Sequence, residues 1–301
     1  MTVPDVMRDI ARRARRSGES IGFVPTMGAL HEGHLSLVEL ARRHAGARGH
    51  VAVSIYVNPI QFNDRGDYEQ YPRTLDRDLE LLEKAGVDMV FAPIDDEMYP
   101  INELPVVIDV PSLTWQLEGA HRQGHFRGVL NVVLKLFNLV QPDIAVFGMK
   151  DFQQLRVIEA MVKGLSRPTD IVRAPTMREP DGLAMSSRNR RLTARERQRA
   201  LAIPAALQAA EDAFEKGQTH PEALAEIMLR TLLSGQPSDV PVEVDYAAVV
   251  DPERLEILQK IDRPALLAIA AHVGQVRLID NRIIAQSLSP FSNAGAAESG
   301  G

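Results

Sequence analysis

The chain has 301 residues, of which 45% are hydrophobic and 25% charged, and its formal net charge is -6. This length allows one large or two ordinary domains with a substantial core. The mildly acidic balance gives no support for a nucleic-acid-binding surface, and no apolar run is long enough to span a membrane. The chain has no cysteine and no apolar signal core at its N-terminus. We therefore expect a cytoplasmic protein that binds neither membranes nor nucleic acids.

Strand and helix patterns alternate over the first part of the chain. Apolar strands are predicted at residues 21–24, 51–57, 87–92, 106–110, 144–147 and 171–174. Amphipathic helices are predicted at residues 5–16, 35–44, 74–85, 129–140 and 152–165. This alternation predicts an α/β fold with a Rossmann-like, doubly wound parallel sheet over residues 1–176.

The pattern changes after Arg191. Thr193 and Glu196 have the spacing of a capping box, which predicts a helix running to about Lys216. A further helix at residues 221–233 and strands at 242–250, 266–272 and 275–280 predict a smaller α+β domain over residues 177–291. Residues 185–189 would then lie at a hinge, and the domain would close over the site. Residues 292–301, rich in Gly, Ala and Ser, are predicted to form a disordered tail.

The segment Pro25–His34 follows the first predicted strand and reads as a strand, a glycine-containing turn and a helix N-terminus. Free backbone N–H groups and the positive end of a helix dipole bind anions at such a turn. His31 and His34 can add two ring N–H donors, and Gly33 leaves the backbone accessible to a nucleotide. The histidine spacing does not match the zinc signature, in which the second histidine comes four residues after the first, and no cysteine is available as a ligand. This motif alone leaves a nucleotide site and a solvated helix start equally open.

Two further segments favour the nucleotide site. Phe147-Gly148-Met149-Lys150-Asp151 follows a predicted strand, so Lys150 can stand beside a phosphate at the carboxyl end of the sheet. Residues 185–189, Met-Ser-Ser-Arg-Asn, offer two hydroxyl groups and a guanidinium group, a set suited to a triphosphate. Each signal is weak alone, but together, in this order on this strand pattern, they predict that the chain activates a nucleotide.

These motifs resemble those of the pantothenate synthetase family, also called pantoate–β-alanine ligases, within the nucleotidyltransferase superfamily that carries the His-x-Gly-His motif. The resemblance rests on residues 25–34, 53–62, 71–74, 125–129, 148–154 and 181–189, and weaker likeness extends to about residue 285. It implies ATP-dependent condensation of pantoate with β-alanine through a pantoyl adenylate, with release of AMP and pyrophosphate. The product, pantothenate, is a precursor of coenzyme A.

The resemblance also implies roles for individual residues. The residues it places along ATP are Met27, Gly28, Ala29, Leu30, His31, Glu32, Gly33, His34, Gly148, Met149, Lys150, Asp151, Met177, Met185, Ser186, Ser187 and Arg188. Those it implies act in catalysis are His34, His31, Lys150, Ser186, Ser187 and Arg188. A histidine at a helix N-terminus has its cationic form disfavoured, so we expect His34 to be neutral and to donate through one N–H. Gln61 and Gln154 match the pantoate-binding positions, and Gln61 is shared with β-alanine; without the resemblance, Gln61 would read as a turn residue.

Magnesium is expected to accompany ATP, mainly through phosphate oxygens. Asp78 is the predicted protein ligand, with Asp76 and Glu118 as other acidic candidates, although a helix-start role for the two aspartates is equally open. Two positions depart from the family pattern: Arg77 interrupts an acidic run, and Met149 replaces the usual glutamate. The resemblance also implies a homodimer.

Three other functions share parts of these motifs. A nucleotidyltransferase that makes a dinucleotide or a CDP-alcohol would have the same fold but would lack the paired Gln61 and Gln154. An aminoacyl-tRNA synthetase would need a tRNA-binding surface, and the chain has no basic appended domain. A nucleotide-binding regulator would have no need of a pantoate pocket. Pyrophosphate release from ATP and pantoate alone would separate these alternatives.

Overall fold

The structure is a computed structural model that describes residues 2–237 and 239–285. Its larger sheet has five parallel strands in the order β3-β2-β1-β4-β5. The strands are β1 (Ile21–Thr26), β2 (His50–Ile55), β3 (Met89–Phe91), β4 (Ile144–Gly148) and β5 (Asp170–Ala174). This topology confirms the predicted α/β fold. The tail predicted at residues 292–301 lies outside the described residues.

Helices cover both faces of this sheet. They are α1 (Pro4–Arg16), α2 (Glu32–Ala45), α3 (Arg65–Glu69), α4 (Leu75–Lys84), α5 (Asp95–Met98), α6 (Pro111–Thr114), α7 (Glu118–His121), α8 (His125–Val140) and α9 (Phe152–Gly164). Short 3-10 turns span Pro59–Gln61, Met149–Asp151 and Ser187–Arg191. The five helices predicted in this part are confirmed. Helix α8 begins four residues before its predicted start, because Gly124 turns the chain with φ at 80° and the helix follows directly.

The strand predicted at residues 106–110 is wrong. This segment belongs to no strand, and Val106 and Val107 are 73% and 65% exposed. The preference of valine for strands reports its fit to a half-buried sheet surface. No strand of the described residues offers this segment such a surface, so Val106 and Val107 face outward, while Ile108 and Val110 are half-buried against neighbouring side chains of the core.

The second part of the chain forms an antiparallel sheet in the order β6-β7-β8, covered by helices. Its elements are α10 (Ala194–Ala200), α11 (Ala202–Glu215), α12 (Pro221–Ser234), β6 (Val242–Val250), β7 (Ala265–Val273) and β8 (Val276–Ile284). The predicted capping box is present: Glu196 N–H donates to Thr193 Oγ1, and Thr193 N–H donates to Glu196 Oε2.

The single helix predicted to run from there to Lys216 is instead two helices, α10 and α11, which meet at Leu201. Pro204 has no N–H to donate to the carbonyl of Ala200, so the helical hydrogen-bond ladder is interrupted at this point. The two helices nevertheless continue along the same stretch of sequence.

The two sheets share packing surface. Leu266 and Ala268 of β7 belong to the apolar cluster that lies beneath the parallel sheet with Phe126 and Phe152. A second cluster lies between α11, α12 and the antiparallel sheet. Because β7 packs in both clusters, the antiparallel sheet is held against the first part of the chain. A domain boundary at residue 176 stays a prediction.

Among the described residues, no helix combines the length and the apolar character needed to cross a bilayer.

Candidate active site

A cleft of about 230 Å³ opens beside the carboxyl ends of β1 and β4. This is the edge at which open α/β sheets bind ligands. The predicted site residues that line it are Met27, His31, Gly33, His34, Gln61, Gly148, Lys150, Asp151, Gln154, Met177, Met185, Ser186, Ser187 and Arg188. The predicted nucleotide contacts Gly28, Ala29, Leu30, Glu32 and Met149 are not part of its lining. The fold thus brings together most of the predicted site from segments that are far apart in sequence.

The turn between β1 and α2 is held by the carboxylate of Asp78. Gly28 and Ala29 have positive φ angles of 79° and 51°, which aims successive backbone N–H groups the same way. Ala29 N–H donates to Asp78 Oδ2 at 2.8 Å, and Leu30 N–H donates to Asp78 Oδ1 at 2.9 Å. The amides expected to be open to an external anion therefore already bind a carboxylate of the protein.

This contact changes the assignment of Asp78. Asp78 is only 1% exposed. Thr74 Oγ1 donates a further hydrogen bond to its Oδ1. Both oxygens are occupied by protein donors, so we correct the predicted metal role: the carboxylate holds the turn. Gly28 is required beside it, since a Cβ there would lie 3.0 Å from Asp78 Oδ2.

His31 and His34 face each other across the first turn of α2, with ring centroids 4.1 Å apart. The backbone N–H of His31 approaches His34 Nδ1 at 3.4 Å. A ring nitrogen that accepts a hydrogen bond carries no proton, so in neutral His34 the proton is on Nε2. Gly33 makes room for this pair, because a Cβ there would lie 2.9 Å from His31 Cε1.

Both histidines are strongly biased towards the neutral form. Burial, followed by the positive charges of Lys150 and Arg190, lowers the pKa of His31 to about 4. Burial, followed by the neighbouring His31, lowers the pKa of His34 to about 3. This agrees with the expected neutral His34, and burial is the largest cause of its lowered pKa. The pair can donate hydrogen bonds to an anion without adding charge.

Gln61 is fixed in the cleft by four neighbours. Asn58 Nδ2 donates to Gln61 Oε1 at 3.0 Å, and Gln61 Nε2 lies 3.0 Å from Met27 Sδ. His125 Nδ1 donates to the Gln61 carbonyl at 2.7 Å. Helix α8 can approach this closely because Gly128 has no side chain: a Cβ there would lie 2.7 Å from Gln61 Cα. Gln61 is thus a rigid amide presented to the cleft.

An apolar wall adjoins Gln61. It consists of side chains from successive turns of α8, namely Val129, Val132, Val133 and Leu136. Gln154, from the first turn of α9, lines the same cleft. Amides beside a branched apolar surface suit a small ligand that carries both polar groups and methyl groups.

Lys150 and Arg188 supply positive charge to the cleft. Lys150 Nζ lies 3.5 Å from Asp151 Oδ1. Arg188 donates to Asp67 Oδ2 at 2.8 Å, and Arg191 donates to the other oxygen of Asp67 at 2.9 Å. Arg188 is therefore held beside the cleft by a carboxylate from α3, and a triphosphate would have to compete with that carboxylate for it.

Glu118 is not available to a metal ion. Arg277 donates to both of its oxygens, at 2.7 and 2.8 Å, and Tyr246 OH donates at 2.8 Å. Burial would raise the pKa of Glu118, but the Arg277 guanidinium outweighs it and lowers this pKa to about 2. The ion pair ties α7 to β8, and the Tyr246 hydrogen bond ties α7 to β6. Within residues 2–237 and 239–285, no cluster of three or more His, Asp or Glu side chains could hold a metal ion.

Several residues of the site were missed from the sequence. Tyr71, Arg122 and His125 line the cleft, while Asp67 and Asn58 hold other site residues. Tyr71, Asn58 and His125 stand within the segments that carry the family resemblance, which was the signal available. Asp67 and Arg122 stand in loop and short-helix segments without periodicity, and only the fold shows their proximity to the site.

Replacement of Asp78 by alanine should destabilise the protein and distort the site. Two buried backbone N–H groups would lose their acceptor, at about 1–3 kcal/mol each. We expect the free energy of unfolding, measured by urea denaturation, to fall by about 2–6 kcal/mol. Asp76→Ala, which removes an exposed carboxylate from the same helical turn, should change it by less than about 0.5 kcal/mol. A fully stable Asp78→Ala protein that had merely lost its magnesium dependence would restore the metal role.

Acid should destabilise the protein through its neutral histidines. Burial, followed by the charge of Arg122, lowers the pKa of His125 to about 3, whereas an unfolded histidine titrates near 6.5. The unfolded chain thus binds more protons between these values, so stability rises with pH in this window and falls as pH drops below about 6.5.

His125→Asn retains a donor for the Gln61 carbonyl but does not titrate. It should reduce the loss of unfolding free energy on acidification by up to about 1.4 kcal/mol per pH unit below ~6. Urea denaturation of both proteins at pH 7, 6 and 5 measures this difference. Parallel pH profiles for the two proteins would show that His125 is not held neutral.

Comparison with known proteins agrees with this geometry. The sequence model of the family described as "Pantoate-beta-alanine ligase" matches residues 1–283. A "Pantothenate synthetase" from Thermoanaerobacter sp. (strain X514) is 48% identical over 94% of this chain and 97% of its own length. A pantothenate synthetase structure from Thermus thermophilus superposes with a TM-score of 0.86 at 42% identity, covering 94% of this chain and 98% of the other.

A third relative was solved with ligands. The pantoate-beta-alanine ligase of Francisella tularensis, described as complexed with beta-gamma ATP and beta-alanine, has a TM-score of 0.75 at 34% identity and covers 94% of this chain and 96% of the other. The sequence match and the two structural likenesses each extend over nearly the whole chain. The chain therefore belongs to the pantoate-β-alanine ligase family and is a pantothenate-forming ligase.

Proposed function

We propose that the cleft condenses pantoate with β-alanine at the expense of ATP, in two half-reactions that share a pantoyl adenylate. The observation that carries this proposal is one cleft lined by two kinds of surface. Neutral histidines, Lys150 and the Ser186–Arg188 segment suit phosphates, while the glutamine pair and the apolar wall suit a small branched acid. The Francisella relative solved with an ATP compound and β-alanine supports the same ligand set.

A carboxylate is a poor electrophile and must be activated before an amine can attack it. In the first half-reaction, a pantoate carboxylate oxygen attacks the α-phosphorus of ATP. The bond between that phosphorus and the bridging oxygen breaks, and pyrophosphate leaves with the electron pair. In the second, the neutral amine of β-alanine attacks the acyl carbon, AMP leaves, and the amine loses a proton to solvent.

Phosphate charge is met by side chains already in place. Lys150 and the neutral donors His31 and His34 line the cleft, together with Ser186, Ser187 and Arg188. In the proposed role, these groups stabilise the negative charge that moves onto pyrophosphate as the bond breaks. A neutral His34 donates its Nε2 proton as a hydrogen bond and avoids repulsion with Lys150.

Pantoate is proposed to bind between α8 and the two glutamines. Its two methyl groups fit the wall of Val129, Val132, Val133 and Leu136. Gln61 and Gln154 each offer a donor and an acceptor to its hydroxyl and carboxylate groups without adding charge. β-Alanine is proposed to share Gln61, because its amine must reach the activated carboxyl group held there.

Magnesium is proposed to arrive with ATP. The donor set of the described residues does not fit a protein-held ion, since the carboxylates of Asp78 and Glu118 are both occupied by protein donors. Mg²⁺ bound through phosphate oxygens and water needs few protein ligands.

A homodimer is part of the same proposal. Supporting it is an outward-facing apolar segment in which Ile101 and Leu104 are 91% and 90% exposed, with Trp115 also 74% exposed. Exposed apolar side chains that stand close together in sequence, as Ile101 and Leu104 do, favour an association surface. We also propose the cytoplasm as the compartment, because the reaction consumes ATP.

Labelled pyrophosphate should exchange into ATP when pantoate is present and β-alanine is absent. An adenylate that forms before amine attack makes the first half-reaction reversible on its own. The measurement is label incorporation into ATP with and without pantoate. Active enzyme that shows no exchange until β-alanine is added would contradict the two-step proposal.

His34→Ala and Lys150→Ala should each slow this exchange by about 10²–10³-fold, because each removes a donor aligned with developing charge. The reaction of β-alanine with chemically supplied pantoyl adenylate should lose much less in both variants, since pyrophosphate has already left. Near-UV circular dichroism provides the folding control. Equal losses in the two half-reactions would assign these residues to general architecture instead of phosphate chemistry.

Gln154→Leu should impair pantoate use and spare ATP binding. The buried polar groups of pantoate would lose partners, at about 1–3 kcal/mol each, which corresponds to a rise in the pantoate KM of about 10–100-fold. Steady-state kinetics with each substrate varied in turn measures the effect. A raised ATP KM with an unchanged pantoate KM would show that Gln154 belongs to the nucleotide half of the cleft.

A further inference from the structure

Two consecutive residues of β8, Asp280 and Asn281, reach out of the second sheet towards the site. They are 3% and 9% exposed, and each uses its side chain on a different segment of the cleft. The proposed mechanism gives neither of them a role.

The side chain of Asn281 hydrogen-bonds to the turn that carries Lys150. Its Nδ2 group donates to the carbonyl of Met149 at 3.0 Å and to the carbonyl of Lys150 at 2.8 Å. One side-chain amide thus donates to two adjacent carbonyls of the 3-10 turn between β4 and α9. This pair of bonds fixes the orientation of the Lys150 peptide, and hence the direction in which its side chain leaves the backbone.

The side chain of Asp280 forms an ion pair with the segment that leads to Ser186. Its two oxygens accept from Arg178 Nη1 and Nη2 at 2.7 and 3.0 Å. Arg178 Nη1 also donates to the carbonyl of Gly182 at 3.1 Å, and Arg178 pairs with Ala184 in a short antiparallel bridge. The hairpin that ends at Ser186 is thus anchored to the strand residue next to Asn281.

These two sets of hydrogen bonds are also linked to each other, since Asn281 N–H donates to Asp280 Oδ1 at 2.8 Å. The Lys150 turn and the hairpin before Ser186 come from separate segments of the cleft-forming sequence. Both are nevertheless hydrogen-bonded to the same two adjacent residues in the middle of a nine-residue strand.

We propose that Asn281 is a positioning residue for the adenylation half-reaction: it holds the Lys150 turn in register with the Ser186–Arg188 segment, with Asp280 as the common anchor. This inference rests on the proposed role of Lys150 at the phosphates. A carboxylate at position 281 has nearly the same shape as the amide but cannot donate to the two carbonyls.

Asn281→Asp and Asn281→Ala should each lower the maximal rate of pantoate-dependent pyrophosphate exchange by about 10–100-fold, the scale of loss when a reacting group is misplaced by about 1 Å. The pantoate KM should change by less than about twofold, because Gln61 and Gln154 are untouched, and turnover of supplied pantoyl adenylate should be nearly normal. Arg282→Ala is the matched control, since this neighbouring side chain donates to Gln208 and Glu211 of α11, and none of these three residues lines the cleft. It should leave the exchange rate unchanged.

The decisive arm combines each Asn281 variant with Lys150→Ala. If Asn281 acts through Lys150, its replacement should slow exchange by less than about twofold in a protein that already lacks the amine. Multiplicative losses in the double variants, or single variants with normal exchange, would overturn the inference. Lys150→Ala with normal exchange would instead overturn the proposed function of Lys150. Thermal unfolding of every variant separates these results from simple loss of fold, and Asn281→Ala serves if Asn281→Asp does not fold.

Discussion

The hydrogen bonds from Ala29 and Leu30 to the buried carboxylate of Asp78 are the contact on which the site depends. They hold the turn in which two consecutive residues have positive φ, a conformation that costs energy for a side chain such as alanine. The direction in which α2 begins, and with it the placement of His31 and His34, follows from this turn. A carboxylate from α4, which does not line the cleft, thus sets the geometry of the two histidines.

A second constraint is charge. Several arginines stand around the cleft, and ion pairs with carboxylates offset their mutual repulsion: Arg188 with Asp67, Arg277 with Glu118, and Arg178 with Asp280. Burial keeps the two histidines neutral. In the proposed reaction, a triphosphate in this cleft would meet Lys150, neutral donors, and an Arg188 that can exchange Asp67 for phosphate. Such preorganised donors stabilise charge that develops during reaction, since they need little rearrangement at that moment.

The sequence predicts the parallel sheet well because buried strands and amphipathic helices leave regular apolar periods, and the His31 and Lys150 motifs follow strands directly. It fails where tertiary packing decides. The apolar run at 106–110 finds no sheet, and Pro204 divides a helix that its pattern continues. Asp78 and Glu118 look like metal ligands until the fold brings backbone amides and Arg277 to them. Asp67 and Asn281 carry no local signal, since their partners are more than 100 residues away.

His34 is neutral and carries its proton on Nε2, because Nδ1 accepts from the backbone N–H of His31. Two-bond ¹H–¹⁵N correlation spectra of histidine-labelled protein, with His34 assigned by His34→Gln, report both the tautomer and the pKa. We expect a neutral ring protonated on Nε2 throughout pH 5–8, consistent with a pKa of about 3. A ring protonated on Nδ1, or an imidazolium that titrates near the ordinary value of about 6.5, would contradict it.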